Sequence, residues 1–206
     1  KVFFKNLLSS KTTHSVRDEY TKEKLAEIGL TNVINTSCPS TWNLTEDHCN
    51  SISRSKSDAV VFTLTDYSHD SKSDRKFIDI LKDKYQKIFF WPQGWNDIDY
   101  FKSLGINYSD RIKIISPYLR SFDELLEKNE IDYIGTRLHA GIRAIQKKRR
   151  ALILSIDNRA TEMSNDICMN VVPREAADRI EFFITSEYKT AIKIPQQNID
   201  AWKAQF

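Results

Sequence analysis

Asp58-Ala-Val-Val-Phe-Thr-Leu-Thr65 decides the fold. Apolar and β-branched residues fill both faces of this stretch, with no regular polar alternation. A strand of that kind is covered on both sides, the condition of a parallel sheet held between helices. Similar short runs recur at 88–91 (Ile-Phe-Phe-Trp), 112–115, 132–134, 151–156 and 169–172, with a brief one at 33–35. Stretches of helical period lie between them. One covers 21–28 and stops at Gly29; another covers 74–85 with Phe77, Ile78, Ile80, Leu81 and Tyr85 on one face; a third covers 97–104 and stops at Gly105. Ser121-Phe-Asp-Glu124 reads as a capping box that opens a helix running to about 128. Further helices are predicted over 136–147, 176–183 and 198–205. Strand-helix alternation predicts an α/β fold with a doubly wound, mainly parallel sheet and right-handed crossovers. Ligands of such sheets sit at the carboxyl ends of the strands, so the residues just after each strand carry most weight. The polar stretch 45–57 reads as a linker between a small piece, 1–44, and a main body, 45–206.

Composition narrows the function classes. The 206 residues are 40% hydrophobic and 29% charged, an ordinary globular mixture that excludes disorder and collagen-like repeats. The net charge of +3 is too small and too scattered for a dedicated nucleic-acid binder. Lys147-Lys-Arg-Arg150 falls at a predicted helix end, where cations meet the negative end of the dipole, and reads as a solvated terminus. No apolar run approaches the roughly 18–20 residues that span a bilayer. The chain opens Lys-Val-Phe-Phe, without an initiator Met or a secretory leader, and a cytoplasmic setting is expected. Cys38, Cys49 and Cys168 form no C-x-x-C and read as free thiols of a reducing compartment. Asn43 and Asn107 head glycosylation-type triplets, which mean little without a secretory route. His14, His48 and His69 do not stand at metal-ligand spacing, and no phosphate-binding G-x-x-x-x-G-K-[ST] or G-x-S-x-G elbow is present.

Four stretches follow predicted strands. In Asp132-Tyr-Ile-Gly-Thr-Arg-Leu-His-Ala-Gly141 a strand gives way to a helix, placing Arg137 and His139 in its first turn. A helix N-terminus beside a planar guanidinium suits a carboxylate or phosphate; equally, Arg137 could pair with a nearby carboxylate and His139 be structural. In Ser155-Ile-Asp-Asn-Arg159, Asp157 stands where an acid orients a ligand or a histidine, and Arg159 offers another anion contact, unless the pair is only a turn. In Trp91-Pro-Gln-Gly-Trp95, Gln93 and Trp95 could line an acceptor-sugar site, or the aromatics could be core. Arg17, in Ser15-Val-Arg-Asp-Glu19, is either a second anion contact or a surface ion pair.

As a set these motifs resemble the polysaccharide pyruvyl transferase family. The residues that carry the likeness are Ser15-Val-Arg-Asp-Glu19 with Thr21, Asn35-Thr-Ser-Cys-Pro39 with Trp42, Thr136-Arg-Leu-His-Ala140 and Ser155-Ile-Asp-Asn-Arg159, across about residues 7–195. The resemblance implies a Rossmann-like domain like the C-terminal half of a two-domain, glycosyltransferase-B-like fold. It makes 1–44 the remnant of an N-terminal Rossmann-like domain and 45–206 the donor-binding domain. It implies an enzyme of exopolysaccharide biosynthesis, acting in the cytoplasm where polysaccharide precursors are built at the membrane. The donor is phosphoenolpyruvate, and its pyruvyl group becomes a ketal on two hydroxyls of a sugar or polysaccharide acceptor.

By that resemblance Arg17, Arg137, Leu138, His139 and Arg159 hold the donor. His139 is the candidate acid, and Asp157 orients it or takes a hydroxyl proton. Gln93 and Trp95 face the acceptor. Where the family often has a Lys shortly after the strand-end Asp, this chain has Arg159, which keeps the charge and changes the proton chemistry. The scheme asks for no metal or cofactor. Two other readings stay open: a nucleotide-sugar glycosyltransferase of the same architecture, and a non-catalytic anion- or glycan-binding remnant. Only about 14 residues precede Ser15, so weak or absent activity of this chain alone is expected.

Overall fold

A computed structural model describes residues 7–106 and 111–206. The triplet at Asn107 lies outside the described residues. The expected α/β architecture is present in two sheets, both parallel throughout. The smaller pairs β1 (His14–Val16) with β2 (Val33–Asn35), linked by α1 (Glu19–Glu27). The larger has β3 (Ala59–Thr63), β4 (Lys87–Phe90), β5 (Ile112–Ile114), β6 (Asp132–Gly135), β7 (Ala151–Ser155) and β8 (Val171–Pro173). Their spatial order is β5-β4-β3-β6-β7-β8. The chain builds outward from β3 to β5, returns to β6 beside β3, and builds outward the other way. The crevice at the carboxyl ends of β3 and β6 is therefore the topological switch point, where ligands of open α/β sheets bind.

Helices cover both faces of the large sheet. They are α2 (Glu46–Asn50), α3 (Ser71–Lys84), α4 (Trp95–Ser103), α5 (Leu119–Lys128), α6 (Leu138–Gln146), α7 (Asn158–Ile167) and α8 (Ala177–Thr185), while α9 (Gln196–Lys203) lies against β2 of the small sheet, Asn198 donating to Asn35 O at 2.8 Å. Successive strand residues feed opposite cores. Val60, Phe62 and Ile134 pack with Phe77, Ile78 and Leu81 of α3, Phe101 of α4 and Ile180 of α8. Val61, Tyr133 and Ile153 pack with Phe122 of α5, Ala140 and Ile145 of α6 and Met163 of α7. Every residue of β3 is buried, as its composition demands.

Four expectations are corrected. Residues 46–50 of the supposed linker form α2, capped by Thr45, whose Oγ1 accepts from His48 N at 3.2 Å. Cys49 and Ile52 join the core there, so burial overrides the polar composition. The Ser121 capping box does not form: α5 starts earlier because Tyr118 O accepts from both Ser121 N and Phe122 N. Phe122 is then fixed by stacking on Trp91, centroids 4.0 Å apart. Helix α6 starts at Leu138, which makes Arg137 its cap rather than a first-turn residue. The basic run is only partly solvated. Arg150 is buried, its Nη1 3.0 Å from Asp132 Oδ2, its guanidinium 4.2 Å from the Tyr188 ring centre and its Nη2 donating to Ser186 O. A buried guanidinium persists only when paired and hydrogen-bonded in this way.

Two glycines set the approach of backbone to the switch point. A Cβ on Gly135 would stand 2.6 Å from Thr63 N and 2.8 Å from Thr63 O, its register partner in β3. A Cβ on Gly141 would meet side chains instead: Ile153 Cγ1 nearest, then Ile153 Cδ1 at 2.7 Å and Tyr133 Cε1 at 3.1 Å. Backbone held in a strand ladder yields less than side chains that can repack, and an alanine inside a helix recovers propensity. Gly135→Ala is expected to cost about 1–3 kcal/mol in urea unfolding, and Gly141→Ala less; equal losses would contradict the close approach at Gly135.

Candidate functional site

The residues after β3, β4, β6 and β7 line one cavity of about 160 Å³. Its walls are Tyr67 and Gln93, then Thr136, Arg137, Leu138 and His139, then Ile156, Asp157, Arg159 and Ala160. Six of the expected site residues thus come together: Gln93, Arg137, Leu138, His139, Asp157 and Arg159.

Polar bonds between β3 and β6 build the floor. Tyr133 Oη lies 2.7 Å from Thr63 Oγ1 and donates to Arg137 O at 2.9 Å. Thr136 Oγ1 and Thr65 Oγ1 are 2.8 Å apart, both buried. From this anchor the Arg137 side chain crosses the mouth of β3. Nε donates to Leu64 O at 3.1 Å, and Nη2 to Asp66 Oδ1 at 3.0 Å and Asp97 Oδ1 at 2.5 Å. Asp97, 1% exposed and in the first turn of α4, also accepts from Asp66 N and Gln93 N. Burial alone would raise the Asp66 carboxyl, but the Asn96 hydrogen bond and the Arg137 charge outweigh it and hold the carboxyl below the usual range. Arg137 is therefore first a clamp on the ends of β3 and β4. Its Nη1 has no hydrogen-bond partner among the described residues and is the part of the fork left for a ligand.

Asp157 and Arg159 form the opposite wall. Asp157 caps α7, with Oδ1 accepting from Arg159 N at 3.0 Å. Oδ2 accepts from Arg159 Nε at 3.0 Å and Nη2 at 2.6 Å. The hydrogen bond from Arg159, together with its charge, holds the Asp157 carboxyl below the ordinary range. Arg159 Nη2 also reaches Tyr67 Oη at 2.6 Å. The helix N-termini of α6 and α7 both open on the cavity. The first N–H groups of a helix have no intrahelical acceptor, so those of Leu138 and His139 are available to an anion.

Two expected residues stand outside the cavity walls. Trp95 is 74% exposed at the start of α4. Arg17, between β1 and α1, donates to Asp18 Oδ2 at 3.2 Å, although its charge helps depress Asp157. His139 is not hydrogen-bonded to Asp157; its Nε2 lies 3.6 Å from Cys38 Sγ. Sequence reading missed Tyr67 and Asp97 as parts of the site. Their position just after β3 and in the first turn beyond β4 was the available signal. Among the described residues no group of His, Cys, Asp and Glu is arranged to hold a metal ion, and no helix is long and apolar enough to cross a membrane.

Comparison with known proteins adds a family and a fold. The family model for polysaccharide pyruvyl transferase matches residues 1–158. No curated protein matches the chain. Among solved structures, the UDP-GlcNAc 2-epimerase of Methanocaldococcus jannaschii, in complex with UDP-GlcNAc and UDP, is similar with TM-score 0.57 and 15% identity, over 94% of this chain. The S. aureus MnaA structure with UDP is similar with TM-score 0.53 and 11% identity, over 85% of this chain. The chain spans 60% and 54% of those two proteins. At such identities the likeness is one of fold, and it agrees with the glycosyltransferase-B-like architecture.

The clamp makes a stability forecast. Asp97→Ala removes the buried partner of Arg137 and the acceptor of two backbone N–H groups. It is expected to cost about 2–3 kcal/mol in urea unfolding, and a loss within the noise would show that Asp66 alone suffices.

Proposed function

The chain belongs to the polysaccharide pyruvyl transferase family, and on that premise we propose that it takes phosphoenolpyruvate into the switch-point cavity and ketalises a sugar with it. The observation that carries this reading is the convergence of Arg137, His139, Arg159 and two helix N-termini on one small space. Its volume of about 160 Å³ suits a three-carbon dianion or trianion; drug-sized ligands, comparable to a nucleotide sugar, occupy roughly 300–1,000 Å³. The size argues against a nucleotide-sugar donor in this cavity.

Phosphate and carboxylate are held by charge-assisted hydrogen bonds from Arg159, from Nη1 of Arg137 and from the N–H groups of Leu138 and His139. His139 gives a proton to C3, and the C2=C3 pair becomes the new C–H bond. C2 is left electron-poor, and an acceptor hydroxyl oxygen adds to it. That hydroxyl's proton passes to a base, for which Asp157 stands nearest the strand end. Phosphate leaves with its bonding pair, and a second hydroxyl oxygen closes the ketal at C2 as its proton returns to the neutral His139 imidazole. The chain's own residues supply each of these proton movements and charge contacts. Gln93, fixed through its backbone by Asp97, is the acceptor-side contact on the cavity wall, and Trp95 lies beyond it. The acceptor is a sugar or polysaccharide.

The test has two arms. Calorimetric titration should show phosphoenolpyruvate binding that weakens in Arg159→Ala, with UDP-GlcNAc giving none; the opposite ligand preference would overturn the reading. Phosphate release from phosphoenolpyruvate, assayed over a panel of galactoside and mannosamine acceptors, should fall about 10²–10⁴-fold in His139→Ala with its circular dichroism unchanged. Full turnover in that variant would remove His139 from the mechanism.

A further inference from the structure

The histidine of the cavity is held from outside it. Cys38, which is not part of the cavity wall, places Sγ 3.6 Å from His139 Nε2. The other ring nitrogen, Nδ1, has no hydrogen-bond partner among the described residues. The thiol is itself fixed. Cys38 ends the turn that leaves β2, where buried Ser37 takes a left-handed φ of 59°. Such a conformation is unfavourable for a non-glycine residue and needs outside support. Asn35 Oδ1 supplies it by accepting from Ser37 N at 2.9 Å, and Ser37 Oγ meets Thr41 Oγ1 at 3.2 Å. Ser40 Oγ lies 3.0 Å from Cys38 Sγ. Gln146, the last residue of α6, donates to Ser40 O at 2.6 Å and ties this turn to the helix that carries His139.

We propose that Cys38 is the positioning residue of His139: as a thiolate it accepts a hydrogen bond from Nε2–H of the imidazolium and so leaves Nδ1–H as the proton donor to the ligand. This rests on the pyruvyl-transfer reading of the cavity. The hydrogen bond from His139 draws the Cys38 thiol down to about 7, against burial, which raises it, and with help from Ser40. Near neutral pH the pair therefore holds a substantial thiolate fraction. The proton balance is complete. The Nδ1 proton goes to C3 of phosphoenolpyruvate, the C2=C3 electron pair forms the C–H bond, and neutral imidazole remains with its Nε2–H on the thiolate. The other charges about the pair are already committed. Arg137 is bound to Asp66 and Asp97, Arg143 on the next turn of α6 to Asp123, and Asp157 and Arg159 to each other across the cavity. Cys38 is thereby the one thiol of the chain whose modification would act directly on the proton donor.

Alkylation by iodoacetamide over a pH series, read by mass spectrometry of the Cys38 peptide from the full chain, tests the pair without any substrate. Exposed Cys168 in the same digest is the internal reference. The midpoint is expected near 7 in the wild type and nearer the ordinary thiol value of 9.0 in His139→Gln. Equal midpoints in the two proteins would overturn the pair. The pH dependence of kcat for phosphate release from phosphoenolpyruvate then tests its consequence. Cys38→Ser should keep KM for phosphoenolpyruvate, lower kcat roughly tenfold and shift the profile, whereas an unchanged profile would overturn the positioning role. Wild-type chain that shows the alkylation shift but neither binds nor turns over phosphoenolpyruvate would sink the donor assignment and leave the Cys38–His139 pair standing.

Discussion

The missing Cβ at Gly135 is the constraint on which the site depends. Only without that atom can β6 end flush against Thr63 of β3. The two strands then finish together at the switch point, and Thr63, Thr65, Tyr133 and Thr136 stitch their ends. From that anchored end the Arg137 side chain is short enough to reach Leu64, Asp66 and Asp97 in one span. Asp97 in turn fixes the backbone at Gln93. A displacement of β6 would move the cap of α6, the direction of His139 and the turn after β4 together.

Charge within the cavity is divided between holding the protein and meeting a ligand. Arg137 spends most of its donors on the protein, so an anion arriving there finds an edge of the guanidinium and not the whole fork. Arg159 is more exposed, and its carboxylate partner is two residues away on the same helix cap. An exposed pair of this kind gains little from its own contact and can exchange it for a ligand at small cost. At the α6 N-terminus the N–H groups of Leu138 and His139 have no competing acceptor among the described residues, whereas at α7 Asp157 already accepts from Arg159 N. His139 is set apart from both: its Nε2 meets Cys38 Sγ, in the turn after β2.

Much of this architecture was legible in order. The runs at 58–65, 88–91, 132–134 and 151–156 announced themselves because strands buried on both faces need apolar residues at every position. The short strand β1 was not legible, since His14-Ser-Val16 is half-buried throughout and forms no apolar run. Helix α7 was missed because only Ala160, Met163 and Ile167 mark its buried stripe. Its cap, Asp157, was noticed as a chemical group and not as a helix start. Arg150 sits in a basic run that any local reading assigns to solvent. It is buried because Asp132 is the first residue of the strand beside it and needs a cation.

The sequence by itself determined the class of fold, the strand ends that matter, and the set of motifs shared with one enzyme family. Those follow from local rules: burial on two faces, helical period, and residue types placed after strands. Only the tertiary structure decided how those residues are used. It committed Arg137 to Asp66 and Asp97, left Trp95 outside the cavity walls, and brought Cys38 to His139 across 101 residues of chain. The physical reason is that a charge or a ring nitrogen takes whichever partner lies within about 3–4 Å, and separation in space across a sheet is not written in spacing along the chain.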